Sequence, residues 1–145
     1  GEEETELMTA PDFAMQDYEG MTVQLSDLFG TPIVMNFWSS GCGPCKMEMP
    51  DFQAASEELE DEVLFVMVDS IGVFGETVES GKAYVEEQGF TFPVFFDVDQ
   101  EGISTYGITS FPTTFFLNEN GEIVAYGQGM MSAETLEQGI SMILP

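Results

Sequence analysis

Cys42 and Cys45 are the two cysteines of this 145-residue chain, and Gly43 and Pro44 stand between them. A thiol pair at that spacing can attack a disulfide elsewhere with one sulfur and resolve the resulting mixed disulfide with the other. The same two residues could also serve as soft metal ligands or as a fixed bridge. A bridge over so small a loop constrains the unfolded chain little, so stability alone is a poor reason for it. The sequence has neither histidine nor arginine. That removes a Cys-His nucleophile pair, a Ser-His-Asp triad and every His-liganded zinc or haem site. Two thiolates do not complete a four-thiolate zinc or iron-sulfur site. Copper(I) is the soft metal left to weigh, because Met47 and Met49 follow Cys45. Methionine after a buried strand equally serves as core filler.

The elements around the pair must aim it. Pro32-Ile-Val-Met-Asn-Phe-Trp38 is an apolar run of strand length, broken by Ser39-Ser40-Gly41. Pro44 suits the first turn of a helix, where its missing N–H costs nothing. Met47, Pro50, Phe52, Ala55 and Leu59 then recur at roughly helical spacing. This puts Cys42 at a helix N-terminus, where unpaired N–H groups and the positive end of the macrodipole favour thiolate over thiol. Elsewhere strands and helices alternate without repeats or an interior linker, which predicts a single α/β unit. Residues 13–17 and 21–25 read as an N-terminal hairpin, and 63–68 as a central strand. A helix is expected from about Glu76 to Gln88, stopped by Gly89, followed by a strand over 92–96 and a short helix over 101–106. Residues 113–117 and 122–126 pair across Asn120-Gly121, a hairpin turn signal, and Ser132 caps a last helix.

Charge narrows the partners. With 27 Asp and Glu against Lys46 and Lys82, the formal net charge is −25. No basic cluster exists to grip nucleic acid or anionic lipid, so neither is expected as a partner. No apolar run approaches the ~20 residues needed to span a bilayer, so no membrane insertion of this domain is expected. Residues 1–8 read as a polar tether left by a removed targeting segment, which predicts an exported or lipid-anchored protein, and residues 9–145 as one domain and a monomer.

Several stretches in order carry a family resemblance: Ala10-Pro-Asp-Phe13, Leu25-Ser-Asp-Leu28, Asn36-Phe-Trp38, Cys42-Gly-Pro-Cys45, Glu48-Met-Pro50, Phe92-Pro93 and Phe111-Pro112-Thr113. From about residue 9 onward the chain resembles the TlpA/ResA-like extracytoplasmic thiol/disulfide oxidoreductases of the thioredoxin superfamily. The resemblance implies a thioredoxin fold, with a central mixed β-sheet flanked by helices, an N-terminal β-hairpin extension and a strand-helix insertion over about 70–94. It implies bacterial origin and no cofactor beyond the Cys42/Cys45 disulfide. Protein disulfides are the implied substrates, with a membrane or soluble thiol as electron donor.

It also implies roles for residues. Cys42, at the helix start, would attack; Cys45, one turn further in, would resolve. Gly43-Pro44 is the thioredoxin dipeptide, and thioredoxin is strongly reducing at about −270 mV, so a reductase is expected. Phe111-Pro112 is implied to be a cis peptide facing the cysteines and, with Trp38, Gly43 and Pro44, to line the substrate site. Asn36 stands where plain thioredoxin has a buried aspartate, and an amide cannot take a proton from Cys45. Gly75-Glu76-Thr77 aligns with an insertion glutamate of the ResA-like branch, which makes Glu76 the candidate base or pKa tuner. Gly41 departs from the family, which usually has an aromatic there, and implies more room beside Cys42. Two alternatives remain: a thiol peroxidase, since two of the N-terminal stretches also occur in peroxiredoxins, and a non-catalytic or copper(I)-binding module on the same fold.

Overall fold

A computed structural model describes residues 6–145. Eight strands form one sheet: β1 (Met8–Thr9), β2 (Ala14–Gln16), β3 (Thr22–Gln24), β4 (Ile33–Trp38), β5 (Leu64–Asp69), β6 (Val94–Phe96), β7 (Thr113–Leu117) and β8 (Glu122–Gln128). Four α-helices accompany them: α1 (Gly43–Glu58), α2 (Val78–Gln88), α3 (Glu101–Tyr106) and α4 (Ala133–Ile143). The strand order is β1-β8-β7-β4-β5-β6-β2-β3. β4, β5 and β6 run parallel, while β7 joins β4, and β2 joins β6, antiparallel. This is the mixed α/β thioredoxin architecture, with the β2–β3 hairpin added at one edge.

β4 lies at the centre, and all six of its residues are buried. Alternation of side chains across the pleat divides them between two cores. Val34 and Trp38 join Cys42, Cys45, Phe52 and α4 on one face, whereas Ile33, Met35 and Phe37 join Phe13, Phe95 and Phe115 on the other. A strand buried on both faces is what its nearly unbroken hydrophobic run, interrupted only by Asn36, requires.

Three details differ from expectation. Met8, assigned by sequence to the tether, pairs with Ile123 in β1; residues 1–5 of that stretch lie outside the described residues. α2 begins at Val78 rather than Glu76, because Thr77 is its N-cap and exchanges hydrogen bonds with Ser80 in both directions. α1 turns Phe52, Ala55 and Leu59 inward as expected, but not Met47 or Pro50. Met47 is 69% exposed and Pro50 is on the surface, while Cys45, Glu48, Met49 and Phe52 are buried. Those four follow an i, i+3, i+4, i+7 stripe, and a carboxylic acid occupies its second place. Met47 and Met49 therefore lie on different faces, and of the two only Met49 shares the buried side of Cys45.

Candidate active site

The turn from β4 into α1 carries the cysteines. They are joined by a disulfide with Cα atoms 5.3 Å apart. Cys42 is the N-cap of α1, and its Sγ accepts a hydrogen bond from the Cys45 N–H at 3.2 Å. In the reduced protein that donor and the helix dipole would both favour a Cys42 thiolate. Gly43 and Pro44 form the exposed first turn. Cys45 has no exposed surface and Cys42 is 4% exposed, so the outer sulfur is that of Cys42.

Phe111-Pro112 is a cis peptide bond at the start of β7. The Pro112 carbonyl accepts from the N–H of Gly129, and Thr113 Oγ1 donates to the Ser110 carbonyl. Phe111 is half-buried and Pro112 buried. Trp38 corrects one expectation. It has no exposed surface and packs against Tyr84 with ring centroids 6.0 Å apart, so it supports the site from beneath and offers no surface to a substrate.

Three buried acids, Glu48, Asp69 and Glu76, form two groups on the elements around the cysteines. Glu48, on α1 one turn after Cys45, accepts from Asn36 Nδ2 and from the Met131 N–H, each at 3.0 Å. Burial raises its carboxyl to about 7, against the lowering effect of those two hydrogen bonds. Asn36 also donates to Thr114 Oγ1, which fixes its amide between α1 and β7. The position that holds an aspartate in plain thioredoxin thus holds a donor here, and the acid it engages comes from the facing helix. In the sequence Glu48 stands out only as part of Glu48-Met-Pro50. Its place on the Cys45–Met49–Phe52 stripe was the signal available.

Glu76 is buried, 3% exposed, despite being one of 27 acids. Its carboxylate accepts from the Ser40 N–H at 2.7 Å and from the hydroxyls of Ser40 and Ser80. It therefore ties the turn before Cys42 to the N-terminus of α2. Asp69, at the end of β5, is fully buried and meets the Glu76 carboxyl beside Gly81. Burial first, then the neighbouring Glu76 carboxyl and its charge, push Asp69 up to about 10, so it keeps its proton at neutral pH. Burial raises Glu76 too, but the neighbouring protonated Asp69 and the hydrogen bonds from Ser40 and Ser80 outweigh it and hold the carboxyl below its usual range. Glu76 is therefore an anion at neutral pH, suited to tuning and anchoring rather than to accepting a proton.

Gly41 corrects another expectation. A Cβ there would lie 2.6 Å from the Phe74 carbonyl oxygen and 2.9 Å from Phe74 Cβ. The space beside Cys42 is occupied by the 73–75 turn, not left open. Among the described residues no group of three or more His, Cys, Asp or Glu side chains is placed to hold a metal ion.

The structure holds a disulfide at the start of α1 and a cis-proline at the start of β7, and the comparisons agree with that architecture. The AhpC/TSA family profile matches residues 8–126. The chain belongs to the AhpC/TSA family. Within it, the thiol-disulfide oxidoreductase ResA of Geobacillus thermodenitrificans is 31% identical over 94% of this chain and 77% of its own length. The structure of StoA from Bacillus subtilis is 32% identical with a TM-score of 0.76, covering 89% of this chain and 96% of StoA. The exposed lipoprotein thioredoxin Etrx1 of Streptococcus pneumoniae is 29% identical with a TM-score of 0.77, covering 90% and 98%. The ResA-like resemblance and the thioredoxin fold are thereby borne out, and this AhpC/TSA protein is a thiol-disulfide oxidoreductase with a Cys42–Cys45 redox pair.

Proposed function

We propose that the protein reduces disulfides of other proteins outside the cytoplasm, with Cys42 as nucleophile and Cys45 as resolving thiol. The observation that carries this is the order of exposure: Cys42 caps α1 and is the outer sulfur, while Cys45 is wholly buried behind it. In the dithiol form the Cys42 thiolate attacks one sulfur of a substrate disulfide. A Cys42–substrate bond forms, and the other substrate sulfur leaves as a thiolate. Cys45 then attacks Cys42 Sγ, releasing the second substrate thiolate and closing the Cys42–Cys45 bridge. Two electrons and two protons pass from the dithiol to the substrate. A dithiol donor, soluble or in the membrane, must return them.

Glu48 supports the second step in this reading. It lies one turn from Cys45, is buried with it, and has a carboxyl that titrates near neutrality, so it can take the Cys45 proton as that thiol becomes a nucleophile. Glu76 acts as the tuner of Cys42, through its grip on Ser40 and its fixed negative charge. Phe111, Pro112, Gly43 and Pro44 line the face that a substrate strand approaches. The domain works as a monomer outside the cytoplasm. An exposed lipoprotein among its structural relatives supports that location.

Trapping tests the reading. A Cys45→Ser variant expressed in cells should accumulate mixed disulfides through Cys42 that dithiothreitol releases. A Cys42→Ser variant that traps the same partners equally well would overturn the assignment of the nucleophile.

A further inference from the structure

We infer that Phe74, with Phe111, forms an apolar lip over the Cys42 side of the site that selects substrates carrying a large apolar side chain beside the cysteine under attack. The inference rests on the reductase reading above. Phe74 is 64% exposed, yet it sits in a built loop. Its backbone is left-handed, at φ 52° and ψ 39°, a conformation that is an outlier for a bulky residue.

The loop supplies what holds it there. Gly72 and Gly75 flank it at φ 90° and 75°, conformations open to glycine. The Gly72 N–H donates to the Glu76 carbonyl, the Glu76 N–H to the Val73 carbonyl, and Ser39 Oγ to the Val73 carbonyl. Gln100 Nε2 secures the Ile71 carbonyl from the far side.

The lip touches the residue before Cys42 and the residue before the cis-proline. Phe74 rests against Gly41, the residue before Cys42, at distances that no Cβ on Gly41 would allow. Its ring meets that of Phe111, the residue before the cis-proline, edge to face with centroids 6.2 Å apart. Beyond Pro112 the rim continues with Met130, 53% exposed and next to Gly129, which bonds the Pro112 carbonyl. A chain of net charge −25 therefore presents an uncharged, aromatic margin where a partner must dock. Holding an aromatic ring in water in a disfavoured backbone conformation is explained if the ring is covered in the encounter complex. An aromatic or large aliphatic substrate side chain would cover it.

Two oxidised peptides, each with one intrachain disulfide and differing only in Phe or Ser beside a cysteine, test this in a dithiothreitol-recycled assay. Wild type should favour the Phe peptide in kcat/KM, and Phe74→Ala should cut that preference about tenfold, the scale of one lost aromatic contact. Phe74→Leu should restore most of the preference, and the Cys42/Cys45 potential should be the same in all three proteins. The same preference in wild type and Phe74→Ala would overturn the lip and leave the reductase intact. Equal losses on both peptides with a shifted potential would likewise overturn it. Reduction of neither peptide by wild type would overturn the reductase reading and the lip together.

Discussion

Asn36 Nδ2 donates to Glu48 Oε1 at 3.0 Å across the β4–α1 interface, so the acid nearest to Cys45 in sequence is held by a neutral amide and not by a cation. Burial therefore dominates its titration and leaves it half-ionised at about pH 7. Exchange enzymes need a group that changes protonation as the buried thiol does. In the proposed mechanism Glu48 is that group, since the Asn36 amide does not titrate.

Replacing Glu48 with Gln should raise the pKa at which Cys45 becomes reactive and slow resolution of the mixed disulfide about tenfold to a hundredfold near neutral pH, in the range of general-base effects. Single-turnover kinetics against pH would show it. An unchanged pH profile would remove Glu48 from proton handling.

Glu48 also makes stability depend on pH. Between its ordinary 4.5 and about 7, the native protein binds a proton that the unfolded chain does not, so stability falls as pH rises through that window. The loss attributable to this group is on the order of 3 kcal/mol. Urea titrations at pH 5 and 7.5 should show a smaller decline in Glu48→Gln than in wild type. Asp69, raised to about 10, extends the decline in the same direction above neutrality. Glu76 works oppositely: its folded carboxyl is depressed, so its contribution is present above its ordinary value and fades in acid.

Gly81 is required by the carboxyl pair, since a Cβ there would collide with the Asp69 side chain. Gly81→Ala should destabilise the oxidised protein by about 1–3 kcal/mol, the usual cost of overpacking. Adding Asp69→Ala should return part of that loss, because the two changes share one space. Strictly additive effects in chemical denaturation would contradict the contact.

Replacing Glu76 with Gln removes the anion that holds Ser40. Thiol titration of the reduced variant should give a lower Cys42 pKa, as a nearby negative charge disfavours the thiolate. Identical Cys42 and Cys45 values in Glu76→Gln and wild type would end its role as tuner.

Much of the scaffold was legible because it is written in local pattern. The run from Ile33 to Trp38, the Asn120-Gly121 turn and the Ser132 cap each specify an element through a few adjacent residues. The cysteine pair announced its chemistry by type and spacing. The site's acids were harder, since one letter stands for both a solvated and a buried glutamate. Glu48 needed the phase of α1, which Met47 and Pro50 obscured by placing apolar residues on the outer face. Contact between Asp69 and Glu76 depends on a loop that turns at Gly72 and Gly75, and the seat of Phe74 on Gly41 depends on the same loop. Such contacts follow from tertiary path, which no local period encodes.

Insulin reduction tests the central claim most directly. In a dithiothreitol-driven turbidity assay, the wild-type protein should accelerate precipitation of the insulin B chain, and Cys42→Ser should reduce the rate to that of dithiothreitol alone. Equal acceleration by wild type and Cys42→Ser would contradict the account.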